Sequence, residues 1–227
     1  NYKFEEHGIP QTRHRMILVG FRNDFFNKNN ISFAKLEKSK EPYVTCKEAL
    51  KNIPKNADNH EPTRHDERVI RRLKKTGEGK NVWDLGEDED GLPDVKKARM
   101  SHIYKRLDST KPAYTVTGSG GGGTHVYHFK EPRALTNRER ARLQTFEDSY
   151  KFEGGKESVR RQIGMAVPVL AAKKVMLEVR NALVKKRKLP NIGLGRLIHD
   201  WMIKAHGSEL FFTAKETVET KQLELDI

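Results

Sequence analysis

Residues 133–170, RALTNRERARLQTFEDSYKFEGGKESVRRQIGMAVPVL, constrain the fold more than any other part of the chain. Thr136, with Glu139 three residues on, has the pattern of a capping box. In that device a hydroxyl and a carboxylate satisfy N–H groups left open at a helix start. The pattern predicts a short helix from Asn137 to Gln144, with Ala141, Leu143 and Phe146 on its apolar side. An ordinary capped surface helix would account for that much. It does not account for the sequel: an aromatic turn at Phe146, Tyr150 and Phe152, the pair Gly154-Gly155, then QIGMAVP at 162–168 opening a second helix. Residues 158–184 read as mostly helical, with Pro168 near a helix start.

This stretch closely resembles the two C-terminal motifs of the DNA (cytosine-5) methyltransferases, R-x-L-T-x-R-E-x-A-R-L-Q-x-F-P-D and Q-x-G-N-A-V-P-P. Glu147 stands where a proline is usual, Met165 where an asparagine is usual, and Val169 where the second proline is usual. At the other end, GIPQTRHR at 8–15 and MILVGF at 16–21 resemble the family's Q-x-R-x-R motif and the strand after it. The three motifs stand in the expected order, with a long insert between the first and the other two, and the resemblance covers residues 8–184. The resemblance implies an α/β fold: the C-terminal portion of a Rossmann-like methyltransferase sheet plus a small mixed α/β target-recognition domain. The implied map is the end of the catalytic domain at 1–24, target recognition at 25–132, a return to the catalytic domain at 133–187, and a helical tail at 188–227.

Local patterns fill in this map. The apolar run at 16–21 predicts a strand buried on both faces. Thr45-Cys46-Lys47-Glu48 is a second capping box and predicts a helix from Cys46 to Asn52. Residues 67–75 predict a basic helix with Val69, Ile70 and Leu73 on one face. Residues 111–117 alternate like a strand. The glycine-rich run 118–124 has no lysine and no following helix to make it a phosphate loop. It reads either as a flexible hairpin loop or as backbone lying close to DNA, and the resemblance favours DNA. The acidic run at 87–90 reads as a solvated loop, and 194–205 as an amphipathic helix. The last residues, 216–227, read as a frayed end.

The formal net charge is +13 and the isoelectric point about 9.7. Such a balance favours a polyanionic partner, because phosphate binding releases counterions. Cys46 is the only cysteine, which excludes an intramolecular disulfide framework and any multi-cysteine zinc site. It sits at a helix start without a supporting base, which reads as a structural residue. His60, His65, His125 and His128 lack the spacing and companions of a metal site. No apolar run is long enough to span a membrane, and no signal peptide is visible. A reducing cytoplasmic compartment, in a bacterium and near its nucleoid, is the expected location.

The resemblance also implies chemistry. In the family a cysteine thiolate adds to C6 of a cytosine taken out of the duplex, and C5 then attacks the methyl group of S-adenosyl-L-methionine. Alternation in an extended segment puts Gln11, Arg13 and Arg15 on one face. Guanidinium forks suit carbonyl and phosphate oxygens. The resemblance implies Arg15 at cytosine O2 and its phosphate, with Arg13 bracing the site and Gln11 supporting both. Gly164, Met165, Ala166 and Val167 are expected beside the cofactor. Arg138, Glu139 and Arg142 are expected to form an ion-pair network between lobes. Contacts to double-stranded DNA are expected from Lys105, Arg106, Lys111, Thr115, Thr117, Ser119, Gly120, Thr124 and Arg133.

No Pro-Cys pair and no F-x-G-x-G loop occur in these residues. The expectation is therefore a C-terminal part whose nucleophile lies in a missing N-terminal portion. A non-catalytic recognition subunit of a split enzyme and a decayed DNA-binding homologue are the rival readings.

Overall fold

The computed structural model describes residues 2–20, 36–85, 103–119 and 122–184. The acidic run at 87–90, Gly120, the segment at 194–205 and the tail lie outside the described residues.

Helices begin where capping chemistry predicts them. In α1 (Cys46–Ala49) the Thr45 hydroxyl accepts from the Glu48 N–H, and the Glu48 carboxylate accepts from the Thr45 N–H. The helix ends before the expected Asn52, which takes a left-handed φ of 56°. α2 (Glu67–Lys75) follows Asp66, whose carboxylate accepts from the Arg68 N–H. In α3 (Asn137–Leu143) Thr136 and Glu139 make the reciprocal box. The helical stretch expected at 158–184 is two helices, α4 (Lys156–Met165) and α5 (Val169–Val184). They part at Ala166, Val167 and Pro168, because proline brings no N–H and pushes the residue before it out of helical conformation.

The strands are short. β1 (Tyr2–Lys3) pairs antiparallel with β3 (His14–Arg15). β2 (Gln11–Thr12) pairs in parallel with β4 (Ala113–Tyr114), Gln11 opposite Ala113 and Thr12 opposite Tyr114. Of the strand expected at 111–117 only these two residues pair. Beyond them the Val116 N–H turns to the Gln11 side chain, at 3.0 Å.

The apolar run at 16–20 is not the buried strand expected. It carries no strand, with Met16 77 % and Leu18 86 % exposed. A strand needs a neighbour for its N–H and C=O groups, and no described strand lies beside this one.

Packing brings the distant segments together. Cys46, Ala113, Val116, Leu135 and Leu143 form one core, joining α1, β4 and α3. Cys46 is fully buried there, and burial pushes its thiol up to about 12, which fits a structural residue. Ala141, Val159 and Ile163 form a second core between α3 and α4, closed by Phe146 and Phe152 of the aromatic turn. Leu73 anchors α2 against Val82, Tyr104 and Tyr127. Tyr2, Phe4 and Ile9 pack on Ala171 of α5. The architecture is mixed α/β, and no helix among the described residues is long and apolar enough to cross a membrane.

Thr136 is buried, caps α3 and shares a 2.9 Å hydrogen bond with His60. Thr136→Ala should therefore cost about 1–2 kcal/mol of stability. Chemical denaturation would read this as a lower midpoint at unchanged slope.

Candidate functional site

Two buried glutamines join the motifs. Gln11 and Gln144 are both fully buried. Gln11 Nε2 donates to Gln144 Oε1 at 2.9 Å and to the Leu143 carbonyl at 3.3 Å, while its Oε1 accepts from the Val116 N–H. Gln144 Nε2 donates to the carbonyls of Ile163 and Ala166, at 2.8 and 3.4 Å. Arg13 Nη1 adds bonds to the carbonyls of Val116 and Gly164, both at 3.3 Å. Residues 11–13, the end of β4, the end of α3 and the end of α4 thus meet at one point. Gln144 is the residue sequence reasoning missed. The motif contained it, but as a helix terminus it carried no sign of its distant partner.

The three residues expected on one face are graded instead. Gln11 is buried, Arg13 is half-buried and Arg15 is exposed. The reason is topological: the chain leaves the β2–β4 sheet and enters the β1–β3 sheet at Arg13, so the alternation is broken. Burial, then the charge of Arg15, lowers the pKa of Arg13. Arg15 Nη1 donates to the adjacent His14 carbonyl at 2.7 Å, and the side chain otherwise stands open.

Two glycines set the spacing between the 117–118 turn and α4. A Cβ on Gly164 would lie 1.9 Å from the Gly118 nitrogen and 2.2 Å from the Thr117 carbonyl carbon. A Cβ on Gly118 would lie 2.8 Å from the Arg161 carbonyl oxygen. Backbone rests on backbone here. The close approach of Gly118 is made to protein, where the sequence pointed to DNA.

The residues expected at the cofactor divide the same way. Gly164 is buried beneath the turn, while Met165 is 74 % and Val167 61 % exposed. The Ala166 N–H is committed to the carbonyls of Gln162 and Ile163. The first turn of α5 is committed too: the Val169 N–H bonds to the Gln144 carbonyl and the Leu170 N–H to the Thr145 hydroxyl. Met165 and Val167 therefore present apolar side chains, rather than free amides, at this surface.

Several expected DNA contacts are occupied elsewhere. Arg106 is buried and donates to the carbonyls of Leu73, Thr76, His128 and Phe129, so no donor face is left for DNA. Arg133 makes a two-pronged ion pair to Glu139, both bonds 2.8 Å, and a third bond to Glu131. Burial works to lower its pKa, but these two carboxylates hold it above the ordinary value. Arg138 donates only to the carbonyls of Asp58, Glu147 and Tyr150, and Arg142 pairs with Asp148. The expected Arg138–Glu139–Arg142 network is thus three separate fastenings.

The remaining residues keep accessible groups. Lys105 lies 5.3 Å from the centre of the Tyr114 ring, and Lys111 is an exposed partner of Asp108 at 2.9 Å. Thr115 and Thr117 donate to the carbonyls of Thr12 and Ser119. Ser119 is exposed, and Thr124 is half-buried in the short turn Gly122–Thr124.

Residues 2–181 match the C-5 cytosine-specific DNA methylase family, and the chain belongs to that family. It is 56 % identical over 176 residues to the type II methyltransferase M.BbvI of Brevibacillus brevis, covering 77 % of this chain and 46 % of that protein. It is 38 % identical over 225 residues to the type II methyltransferase M.NgoFVII of Neisseria gonorrhoeae, covering 92 % and 58 %. The chain spans about half the length of these curated relatives. A solved structure described as a prophage-encoded DNA modification methyltransferase of E. coli shares the fold, with a TM-score of 0.62 at 20 % identity, covering 80 % of this chain and 59 % of that one.

Gly164→Ala should be severely destabilising, by about 3 kcal/mol or more, since neither backbone can yield to the added carbon. Gly155→Ser, at a helix cap with open space around it, should be neutral or slightly stabilising. Thermal unfolding of the two variants side by side checks the contrast.

Proposed function

We propose that this chain recognises a specific DNA sequence and closes the active site of a DNA cytosine-5 methyltransferase of the restriction–modification type. The reaction moves a methyl group from S-adenosyl-L-methionine to C5 of a cytosine flipped out of double-stranded DNA. The observation that carries this reading is the junction at Gln11 and Gln144. It ties three motifs of the family into one rigid unit and leaves Arg15 and Met165 exposed beside it.

Each exposed group then has a task. Arg15, on a strand held through Gln11 and Arg13, offers its guanidinium to cytosine O2 and the adjoining phosphate. Arg13, bound to two carbonyls, is a positioning residue. Met165 and Val167 cover an apolar face of the cofactor, whose sulfonium supplies the methyl group. Lys105, Lys111, Thr115, Thr117, Ser119 and Thr124 are the contacts to DNA in this reading, within a recognition region at 25–132. The nucleophilic cysteine, the acid at N3 and the rest of the cofactor pocket come from the remainder of the enzyme, because Cys46 is buried and protonated. The enzyme acts at the nucleoid, in the bacterial cytoplasm.

Arg15→Ala in the full-length enzyme should lower methylation by about 100-fold or more, with S-adenosyl-L-methionine affinity near normal. Radiolabelled methyl transfer together with equilibrium cofactor binding checks this, and full activity of the variant removes the assigned role. Replacing residues 25–132 by the matching region of another family member should change the methylated sequence. Bisulfite sequencing of a plasmid substrate reads that outcome, and unchanged specificity contradicts the map.

A further inference from the structure

We infer that Arg140, Arg160 and Arg161, with His125, form a site for a backbone phosphate of bound DNA, entered through the groove between the Gly118–Ser119 turn and α4. This inference rests on the DNA-methylation reading and adds a contact that the motif residues do not supply.

Arg140 is the starting point. It occupies the unspecified position between Glu139 and Ala141 in T-x-R-E-x-A-R, so the motif does not call for an arginine there. It is 1 % exposed, and among the described residues neither Nη1 nor Nη2 has a hydrogen-bond partner. That sets it apart from Arg106, Arg133 and Arg138, whose donors meet carbonyls or carboxylates. A buried cation without acceptors is strongly unfavourable, and so is a buried polar donor left unmade.

Its surroundings deepen the deficit. Burial first, then the like charge of Arg160, pushes Arg140 down to about 10. Arg160 Nε is itself buried without a partner, and Nη2 pairs with the exposed carboxylate of Glu157. His125 Nδ1 also lacks a partner. Burial, then Arg140 and Arg160, pushes His125 down to about 4, with smaller contributions from His65 and Lys156. The His125 ring is therefore neutral at ordinary pH. Glu139, the acid beside Arg140 in sequence, is already taken by Arg133 and the Thr136 N–H. Positive charge and unused donors gather here, and the one nearby acid not used within α3 is Glu157 at the rim.

The groove gives an anion its way in. Gly118, Ser119, Glu157, Arg160, Arg161 and Met165 line an open hollow of about 470 Å³. Two guanidinium groups and the exposed Ser119 edge suit a tetrahedral phosphate. Among the described residues the Arg160 side chain makes one hydrogen bond, to the exposed carboxylate of Glu157. A phosphate oxygen in the groove gives Arg160 an acceptor besides Glu157 and offsets the like charge that Arg160 sets against Arg140 and His125. The glycine contact that seats the 117–118 turn on α4 then couples this phosphate to the junction that carries Arg15.

The test uses the full-length enzyme with Arg140→Met and Arg160→Gln. Affinity for a duplex carrying the target sequence is measured over a range of salt concentrations. Both variants should bind about tenfold more weakly, and the slope of log affinity against log salt should become shallower by about 0.9 for Arg160→Gln. S-adenosyl-L-methionine affinity should be unchanged. Without DNA, inorganic phosphate at constant ionic strength should raise the thermal midpoint of the wild type more than that of Arg160→Gln. Arg140→Met should melt no lower than the wild type, which separates weak binding from misfolding, and Arg160→Gln carries the test if Arg140→Met does not fold. Unchanged DNA affinity and slope in Arg160→Gln overturn the inference. So does a loss of cofactor affinity, which assigns the groove to the cofactor carboxylate. Phosphate stabilisation without any DNA effect overturns the DNA assignment as well. If the wild type binds no duplex, the underlying functional reading fails, and the wild-type control reports that separately.

Discussion

The rest of the structure depends on the hydrogen bond between the Gln11 and Gln144 side chains. A primary amide donates and accepts at once, and both ends are used here. Gln11 accepts from Val116 and donates to Leu143 and Gln144, while Gln144 donates onward to Ile163 and Ala166. A fully satisfied neutral network in a dry interior avoids the desolvation penalty of a buried ion pair. Its directionality also explains the residue type. A glutamate at either position would set carboxylate oxygens against carbonyl oxygens. The network therefore specifies register among four segments far apart in the chain, which apolar packing of Val116, Leu143 and Ile163 alone would leave free to slide.

Thr145 extends that constraint to α5. It adopts a left-handed φ of 60°, unfavourable for a β-branched side chain. The conformation is held from both sides: its hydroxyl donates to the Gln144 carbonyl at 2.7 Å and accepts from the Leu170 N–H at 2.9 Å. With the Val169 N–H on the Gln144 carbonyl, residues 144–145 cap the helix that begins 24 positions later. The strain thus serves to satisfy orphan donors. It also decides what the site can bind, since donors spent on the fold are not available to a ligand. That is why Met165 and Val167 meet the surroundings through side chains rather than amides.

What was legible in the sequence was local. Thr45 and Thr136 start helices because a cap acts within three residues, and both helices begin where the cap predicts. The structural reading of Cys46 likewise rested on its local setting, a helix start without a supporting base, and its burial agrees with that reading. What was not legible depended on distant partners. Alternation predicted one face for Gln11, Arg13 and Arg15, but Gln11 belongs to the β2–β4 sheet, Arg15 to the β1–β3 sheet, and Arg13 stands between them. The apolar run at 16–20 looked like a buried strand because burial was inferred from composition, whereas a ladder needs a neighbour. Glycine at 164 looked like a cofactor turn, and only the crossing of the 117–118 backbone explains why no side chain fits.

The arginines make the same point in terms of charge. A net charge of +13 predicts attraction to a polyanion, and that long-range field acts wherever the cations sit. Contact is a different matter. Arg106 and Arg138 serve as internal donors to carbonyls, and Arg133 and Arg142 are closed by carboxylates. These four hold the fold, and their charge is already spent inside it. Sequence cannot separate them from Arg15 or Arg161, because the same guanidinium does both jobs. The carbonyls that gather around it decide which, and those are set by tertiary structure. Affinity should therefore depend on the few cations left unsatisfied, and its salt dependence should be far weaker than the net charge implies.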